Sequence, residues 1–256
     1  MMTGSELAAK AREVATNYLT TYIWGAVGMP DTEKCLADRC AAYPINEAKG
    51  WADTARALMG HTKDGKPPFL FDCVCLVKAI LWGWRGDPSM WFGGATYASN
   101  GVPDVSADEM IGLCKRVSTD FSAMLVGELL WMPGHVGIYI GSGLAVECTP
   151  SFDGGVQITA VANMQERANY FNRRWSKHGR MPWVSYAYEV VGEKKNGTII
   201  VDGVEHPINR ILESGRNYYQ LRDLAAVLGD GFPYDIGNIG SVAVLTRRKE
   251  QNNETP

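Results

Sequence analysis

The sequence predicts an α+β fold, and three observations carry that expectation. The segment FDCVCLVKAILWGW at 71–84 is apolar on nearly every side, the pattern of a helix enclosed by protein. Three short alternating runs follow, GELLWM, HVGIYI and LAVEC, separated by Pro133-Gly134 and by Gly141-Ser142-Gly143. That spacing marks an antiparallel meander. Past Glu193 the chain shortens into strand, turn, strand and helix, which reads as a second, smaller α+β domain. One buried helix followed by a meander argues against a doubly wound parallel sheet.

The elements follow in order. MMTGSELAAKAREVATNYL reads as an amphipathic helix with Leu7, Ala11, Val14, Ala15 and Tyr18 on one face. Residues 31–62 look helical, with Pro30 and Pro44 as breaks. Gly83 is placed to end the buried helix, and Ser106 with Glu109 forms a capping box at the head of SADEMIGLCKRV. EKKNG reads as a polar linker. TIIV and VEHPI form a hairpin around Asp202-Gly203, whose positive φ angles suit a type I′ turn. NYYQL continues as strand into the helix LRDLAAVLG, capped by Gly229, and SVAVL is the last strand before a solvated tail. The domains therefore run 1–190 and 194–247, with a polar tail at 248–256.

A formal charge of -3 gives no basic face for a nucleic-acid backbone, whereas a peptide or glycan suits it. No run reaches the roughly 20 apolar residues of a membrane span; the best stretch, Val74 to Trp84, is interrupted by Lys78. The opening residues have no apolar core of signal-peptide length, so the chain is expected to be made in the cytoplasm, where thiols stay reduced. The six cysteines then read as thiols and not as a disulfide framework. No cofactor is expected, and the oligomeric state is left open.

Chemistry centres on Cys73. Asp72 is a natural N-cap, which puts Cys73 in the first helical turn, where dipoles and unpaired N–H groups favour a thiolate. Those N–H groups also suit an oxyanion. A lone cysteine is more often a small buried hydrophobe, so the assignment needs a partner. His135 opens an alternating strand. A three-residue loop centred on Ser142 sets Gly137 opposite Glu147 and places His135, Tyr139 and Glu147 on one face. A two-residue loop would separate them. His61, His178 and His206 read as surface or capping residues. Zinc held by Cys73, Cys75, His135 and Cys148 lacks the usual ligand spacing, so no metal is expected.

Phe71-Asp72-Cys73, Leu76-Val77, Gly127-Glu128-Leu129 and Gly134-His135-Val136-Gly137-Ile138-Tyr139, in that order, resemble the NlpC/p-60 cell-wall peptidases. The resemblance covers roughly 16–190 and implies a papain-like domain with Cys73 as nucleophile, His135 as base and Glu147 as the orienting third residue. It implies a catalytic role for Tyr22, in Tyr22-Ile23-Trp24-Gly25, and substrate contacts from Trp24, Asp72 and Tyr139. Peptidoglycan is the implied partner, with the bond after D-γ-glutamate the implied target and the glycan–L-alanine amide the alternative. A cell-wall hydrolase lacking a signal peptide suggests a phage or prophage endolysin that acts on the wall after release.

Three features depart from the family. Val74-Cys75 stand where Ser-Gly is usual, Ala26 replaces the second glycine of YxWGG, and a helical insertion around 27–66 separates Tyr22 from Cys73. Glu as third residue is closer to the related CHAP domains. The C-terminal stretches VDG and NYYQLRDLAAVLG resemble the small domain found at the N-terminus of copper amine oxidases and in cell-wall protein stalks. That likeness implies wall attachment, with Tyr218, Tyr219, Phe232 and Tyr234 as sugar-stacking candidates. A non-catalytic wall-binding protein and a papain-like acyltransferase or deamidase are the readings from other classes.

Overall fold

The computed structural model describes residues 1–186 and, beyond them, five strands between 193 and 247. The chain falls into two compact units, Met1–Ala187 and Tyr188–Pro256. In the first unit β1 (Met2–Thr3) leads into α1 (Gly4–Asn17), then β2 (Thr20–Tyr22) and β3 (Val27–Pro30). Three short helices follow, α2 (Glu33–Ala42), α3 (Ile45–Ala48) and α4 (Trp51–Leu58), before β4 (Phe69–Phe71) and the central α5 (Cys73–Leu81). The remainder comprises α6 (Ala107–Leu113), β5 (Lys115–Ser118), β6 (Leu129–Met132), β7 (His135–Gly141) and β8 (Leu144–Thr149). It ends with β9 (Gly155–Val161), β10 (Asn172–Arg173), β11 (Lys177–Arg180) and β12 (Val184–Ser185), the last pairing with β1.

The class is mixed α+β with a curled sheet. Seven strands run in the order β10-β9-β8-β7-β6-β11-β5, and β2-β4-β3 forms a small sheet beside them. All nine residues of α5 are buried, which is why its sequence is apolar all round. Val136, Ile138 and Ile140 turn from β7 into the same core as α5 and α1. The opposite face holds a second core built on Phe121, Leu130, Tyr139, Ala145, Val161 and Trp175. Strand alternation thus gives β7 two different faces, one packed on the helix and one inside the curl.

The insertion is helical where Pro30 and Pro44 predict it, but it starts later than expected. Residues 27–30 form β3, paired with β4, because Val27, Gly28 and Met29 are buried strand positions. Cys35 and Leu36 of α2 and Ala52 and Ala55 of α4 then pack with Ile23, Ala26, Met29 and Leu70. The capping box at Ser106 and Glu109 is present, and α6 ends before β5, so CKRV is not helix.

Glu128, just ahead of β6, ties the sheet together at β11. Its carboxylate accepts from His178 Nδ1 and, at 2.9 Å, from Arg180 Nε. His178 Nε2 donates to the Asp120 carbonyl at 2.9 Å. His178 is therefore buried, against the expectation of a surface histidine, and both ring nitrogens are occupied. Burial opposes its charge, but the bonds to Glu128 and Asp120 outweigh it and raise its pKa.

The second unit, by itself, is a five-stranded sheet in the order β15-β14-β13-β17-β16. Its strands are β13 (Glu193–Val201), β14 (Val204–Glu213), β15 (Arg216–Tyr219), β16 (Tyr234–Ile239) and β17 (Val242–Arg247). The hairpin around 202–203 has Val201 opposite Val204. EKKNG is no linker: it forms the first half of β13 and pairs with 208–212 of β14. The unbroken polar run there hid a strand whose neighbour supplies the backbone partners. The LRDLAAVLG helix with Gly229, the side chains of Tyr218, Tyr219, Phe232 and Tyr234, and the 248–256 tail lie outside the described residues.

A histidine whose folded pKa is raised stabilises the fold fully below its unfolded value and loses that contribution as pH climbs through the folded one. The melting-temperature gap between the protein and His178→Gln is therefore expected to be widest in mild acid and to close towards alkaline pH. A gap that stays constant across that range contradicts a charged His178.

Candidate active site

The N-terminus of α5 is fixed by Asp72. One carboxylate oxygen accepts from Cys75 N at 2.6 Å and the other from Gly25 N at 2.8 Å. Burial raises the Asp72 pKa. Both oxygens are spent on backbone, so the residue expected to meet substrate instead joins the helix to the Tyr22-Ile23-Trp24-Gly25 segment. Gly25 has φ 77, and a Cβ there would lie 2.2 Å from the Tyr43 ring, so only glycine fits this turn. Arg39 and Asn46, both from the insertion, hold the same segment. Arg39 donates to the Gly25 carbonyl at 3.1 Å, and Asn46 bonds both the N–H and the carbonyl of Trp24 at 2.8 and 3.2 Å. The insertion is thus a brace for the motif.

Cys73 opens the helix, almost wholly buried, on the wall of a cleft of about 710 Å³. Its Sγ lies 3.9 Å from the carbonyl oxygen of Gly134, the residue before His135. Burial and the neighbouring Asp72 push its pKa up to about 12, against the N–H groups of Val136, Val74 and Cys73 itself. This corrects the expectation of a resting thiolate: loss of water outweighs the helix N-terminus, and the resting group is a thiol. Cys75 is more deeply enclosed and its pKa also raised, first by burial and then by Asp72.

His135 heads β7, and Gly137 stands opposite Glu147 as expected, but the turn is not the expected one. Gly141 pairs with Leu144, which leaves a two-residue loop, and a bulge between Tyr139 and Gly141 restores the register. His135 Nε2 meets Glu147 Oε2 at 2.7 Å. Trp175 stacks on the imidazole, 5.5 Å between centroids and nearly parallel at 7°. A Cβ on Gly137 would lie 2.8 Å from that indole, so glycine makes room for the stack. Glu147 is completely buried. Its Oε1 accepts from Thr159 Oγ1 at 2.7 Å, and Arg173 Nη2 approaches Oε2 at 2.9 Å. Burial works against the charge as the largest influence, yet His135 and Arg173 together hold the carboxyl below its ordinary pKa. An ionised Glu147 requires Nε2 to carry a proton, leaving Nδ1 as the basic nitrogen.

Among the described residues Nδ1 makes no hydrogen bond, and none joins the thiol to the imidazole. The turn between them is held by Asp108, whose Oδ1 accepts from Gly134 N and Trp131 Nε1, both at 2.8 Å. Tyr22 lines the cleft with Cys73, its ring edge-on to Trp51 at 4.9 Å, and burial keeps its hydroxyl protonated. Trp24 is 43% exposed at the same cleft. Comparison with models of known families and with curated proteins finds no match to the chain.

Of the seven residues singled out in the sequence, Cys73, Tyr22, Trp24 and Asp72 line one cleft, with His135 and Glu147 behind the Gly134 turn. Tyr139 is misplaced: it is buried inside the curl, its hydroxyl accepting from Gly143 N at 3.3 Å. Parity along β7 gives it the same face as His135, but four residues further on that face has closed over. Thr159, Arg173, Trp175, Asn46 and Asp108 escaped the sequence reading. Thr159 alone had a signal, since alternation along β9 brings it diagonal to Glu147 once Gln157 is set opposite.

The far wall of the cleft is the segment between α5 and α6, latched by a lysine the helix pattern does not explain. Lys78 Nζ reaches Asp104 and, at 3.1 Å, the Val105 carbonyl, while the Tyr97 hydroxyl donates to Asp104 at 2.7 Å. Replacing Asn46 by Ala strips partners from the Trp24 backbone and is expected to cost about 1–3 kcal/mol, read as a lower urea midpoint. An unchanged midpoint contradicts the bracing role.

Proposed function

We propose that the first unit is a papain-like cysteine peptidase acting on peptidoglycan, with Cys73 as nucleophile, His135 as base and Glu147 as the group that orients the base. The observation that carries this reading is the fully buried Glu147 bonded to Nε2 of an imidazole whose other nitrogen is unengaged, on the residue next to the Cys73 thiol's carbonyl partner. A structural His–Glu pair occupies both ring nitrogens, as His178 does.

In the reaction the thiol exchanges the Gly134 carbonyl for Nδ1 of His135, which takes its proton as sulfur attacks the substrate carbonyl. Backbone N–H groups at the start of α5, with the neutral Tyr22 hydroxyl, suit the developing oxyanion. The imidazolium then protonates the leaving amine, and water releases the acyl group. Burial raises the thiol pKa, so sulfur becomes a nucleophile only as His135 takes its proton. Trp24 offers an exposed ring to the bound chain. The favoured target is the bond after D-γ-glutamate in the stem peptide. The use of Glu as third residue keeps the N-acetylmuramoyl-L-alanine amide as the second reading. The C-terminal unit serves wall attachment, and the whole fits a phage or prophage endolysin.

Purified peptidoglycan digested with the protein is expected to release new fragments whose masses name the bond, and Cys73→Ala to release none. Silence from the unaltered protein on several wall types favours a binding protein or another amide substrate. Glu147→Gln is expected to lower the rate by about 10²–10⁴-fold, and full activity in that variant removes the triad.

A further inference from the structure

The curl places a cation where the sequence gives no reason for one. Arg173 stands in the run FNRRW beside Arg174, which projects into solvent with a side chain 69% exposed. Arg173 instead turns inward. Its Nε lies 3.2 Å from Oε1 and 3.1 Å from Oε2 of Glu147, and its Nη2 2.9 Å from Oε2. The guanidinium lies over the Phe152 ring, 4.7 Å from its centroid. Phe152 in turn stacks on Phe171 at 4.6 Å. A guanidinium fork on a carboxylate, its plane backed by an aromatic ring, is directional in a way that an ammonium group is not.

The groups that meet Glu147 come from three strands, His135 on β7, Thr159 on β9 and Arg173 on β10. The Gln157 amide stands opposite it on β9, and Cys148, next along β8, turns its thiol away to the Phe71 carbonyl. Of these, only Arg173 brings a permanent positive charge. A buried carboxylate facing just a hydroxyl and an imidazole has a second stable form, the neutral acid. In that form the acid proton donates to Nε2, so the imidazole proton moves to Nδ1. The nitrogen that should accept from Cys73 then becomes a donor, and the base is lost without any residue moving far.

We propose that Arg173 is a positioning residue of the site: by clamping both oxygens of Glu147 it keeps the carboxylate charged and thereby keeps Nδ1 of His135 as the base. This rests on the catalytic reading of His135 given above, and it adds a fourth member that acts through Glu147 without touching substrate.

The test follows the Glu147 carboxyl carbon by ¹³C NMR through a pH titration, with the resonance assigned by its disappearance in Glu147→Gln. In Arg173→Gln the carboxyl is expected to titrate at higher pH than in the unaltered protein. Arg173→Lys, which restores charge but not the fork, is expected to shift it less and in the same direction. The acid limb of the peptidoglycan-digestion profile moves with it, and the rate at mildly acid pH falls roughly tenfold, the equivalent of one charge-assisted hydrogen bond. If Arg173→Gln does not fold, the Arg173→Lys shift alone decides. A carboxyl that titrates alike in the unaltered protein and in a folded variant overturns the proposal. Displaced carboxyl titration in a protein that digests no wall leaves the clamp standing and removes the peptidase reading.

Discussion

Glu147 carries a negative charge to a place that water does not reach, and much of the site is the arrangement that makes this tolerable. A carboxylate removed from solvent costs several kcal/mol unless its oxygens are met by donors. Here a histidine, a threonine and an arginine from three neighbouring strands meet them. Those three side chains can converge only because the sheet is curled and because the β7–β8 turn sets Gly137, and not a neighbour, opposite Glu147. A one-residue slip would turn Glu147 towards α5 and the apolar core, where no donor waits. The register of one hairpin is thus tied to the ionisation of one carboxyl, and through it to the tautomer of one imidazole.

The thiol is governed by the opposite balance. Cys73 has the helix N-terminus that lowers a thiol pKa, yet enclosure and the adjacent Asp72 dominate and leave it protonated. A neutral thiol is a poor nucleophile, since the thiolate is the reactive form. It becomes a nucleophile only when a base is aligned with it. The separation of thiol and imidazole across the Gly134 turn, with Asp108 holding that turn, means that alignment is a step of the reaction.

The buried helix, the meander, the capping box at Ser106 and the β7–β8 register were all legible in the sequence, because each depends on neighbours within a few residues. So was the pairing of His135 with Glu147, although not by the expected loop: the turn has two residues, and a bulge between Tyr139 and Gly141, which no local pattern announced, restores the parity. Arg173, Trp175 and Asn46 were not legible. Each reaches its partner across a chain closure, Arg173 over β9 to β8 and Asn46 from the insertion to Trp24, and no local pattern encodes such a distance. Tyr139 was misjudged for the same reason: parity gives the face of a strand but not whether that face remains open. EKKNG was misjudged because polar residues suit a strand as well as a linker, and the pairing with β14 decides between them.

The central claim is that Cys73 and His135 act as a pair although they are not hydrogen bonded at rest. Its most direct test is the rate at which iodoacetamide alkylates Cys73, followed by mass spectrometry from mild acid to alkaline pH, in the protein and in His135→Ala. A working pair makes Cys73 reactive near neutral pH in the unaltered protein, and His135→Ala confines reaction to alkaline solution where the thiol ionises unaided. Identical profiles in the two proteins would mean that His135 does not act on Cys73, and the active-site account would fall.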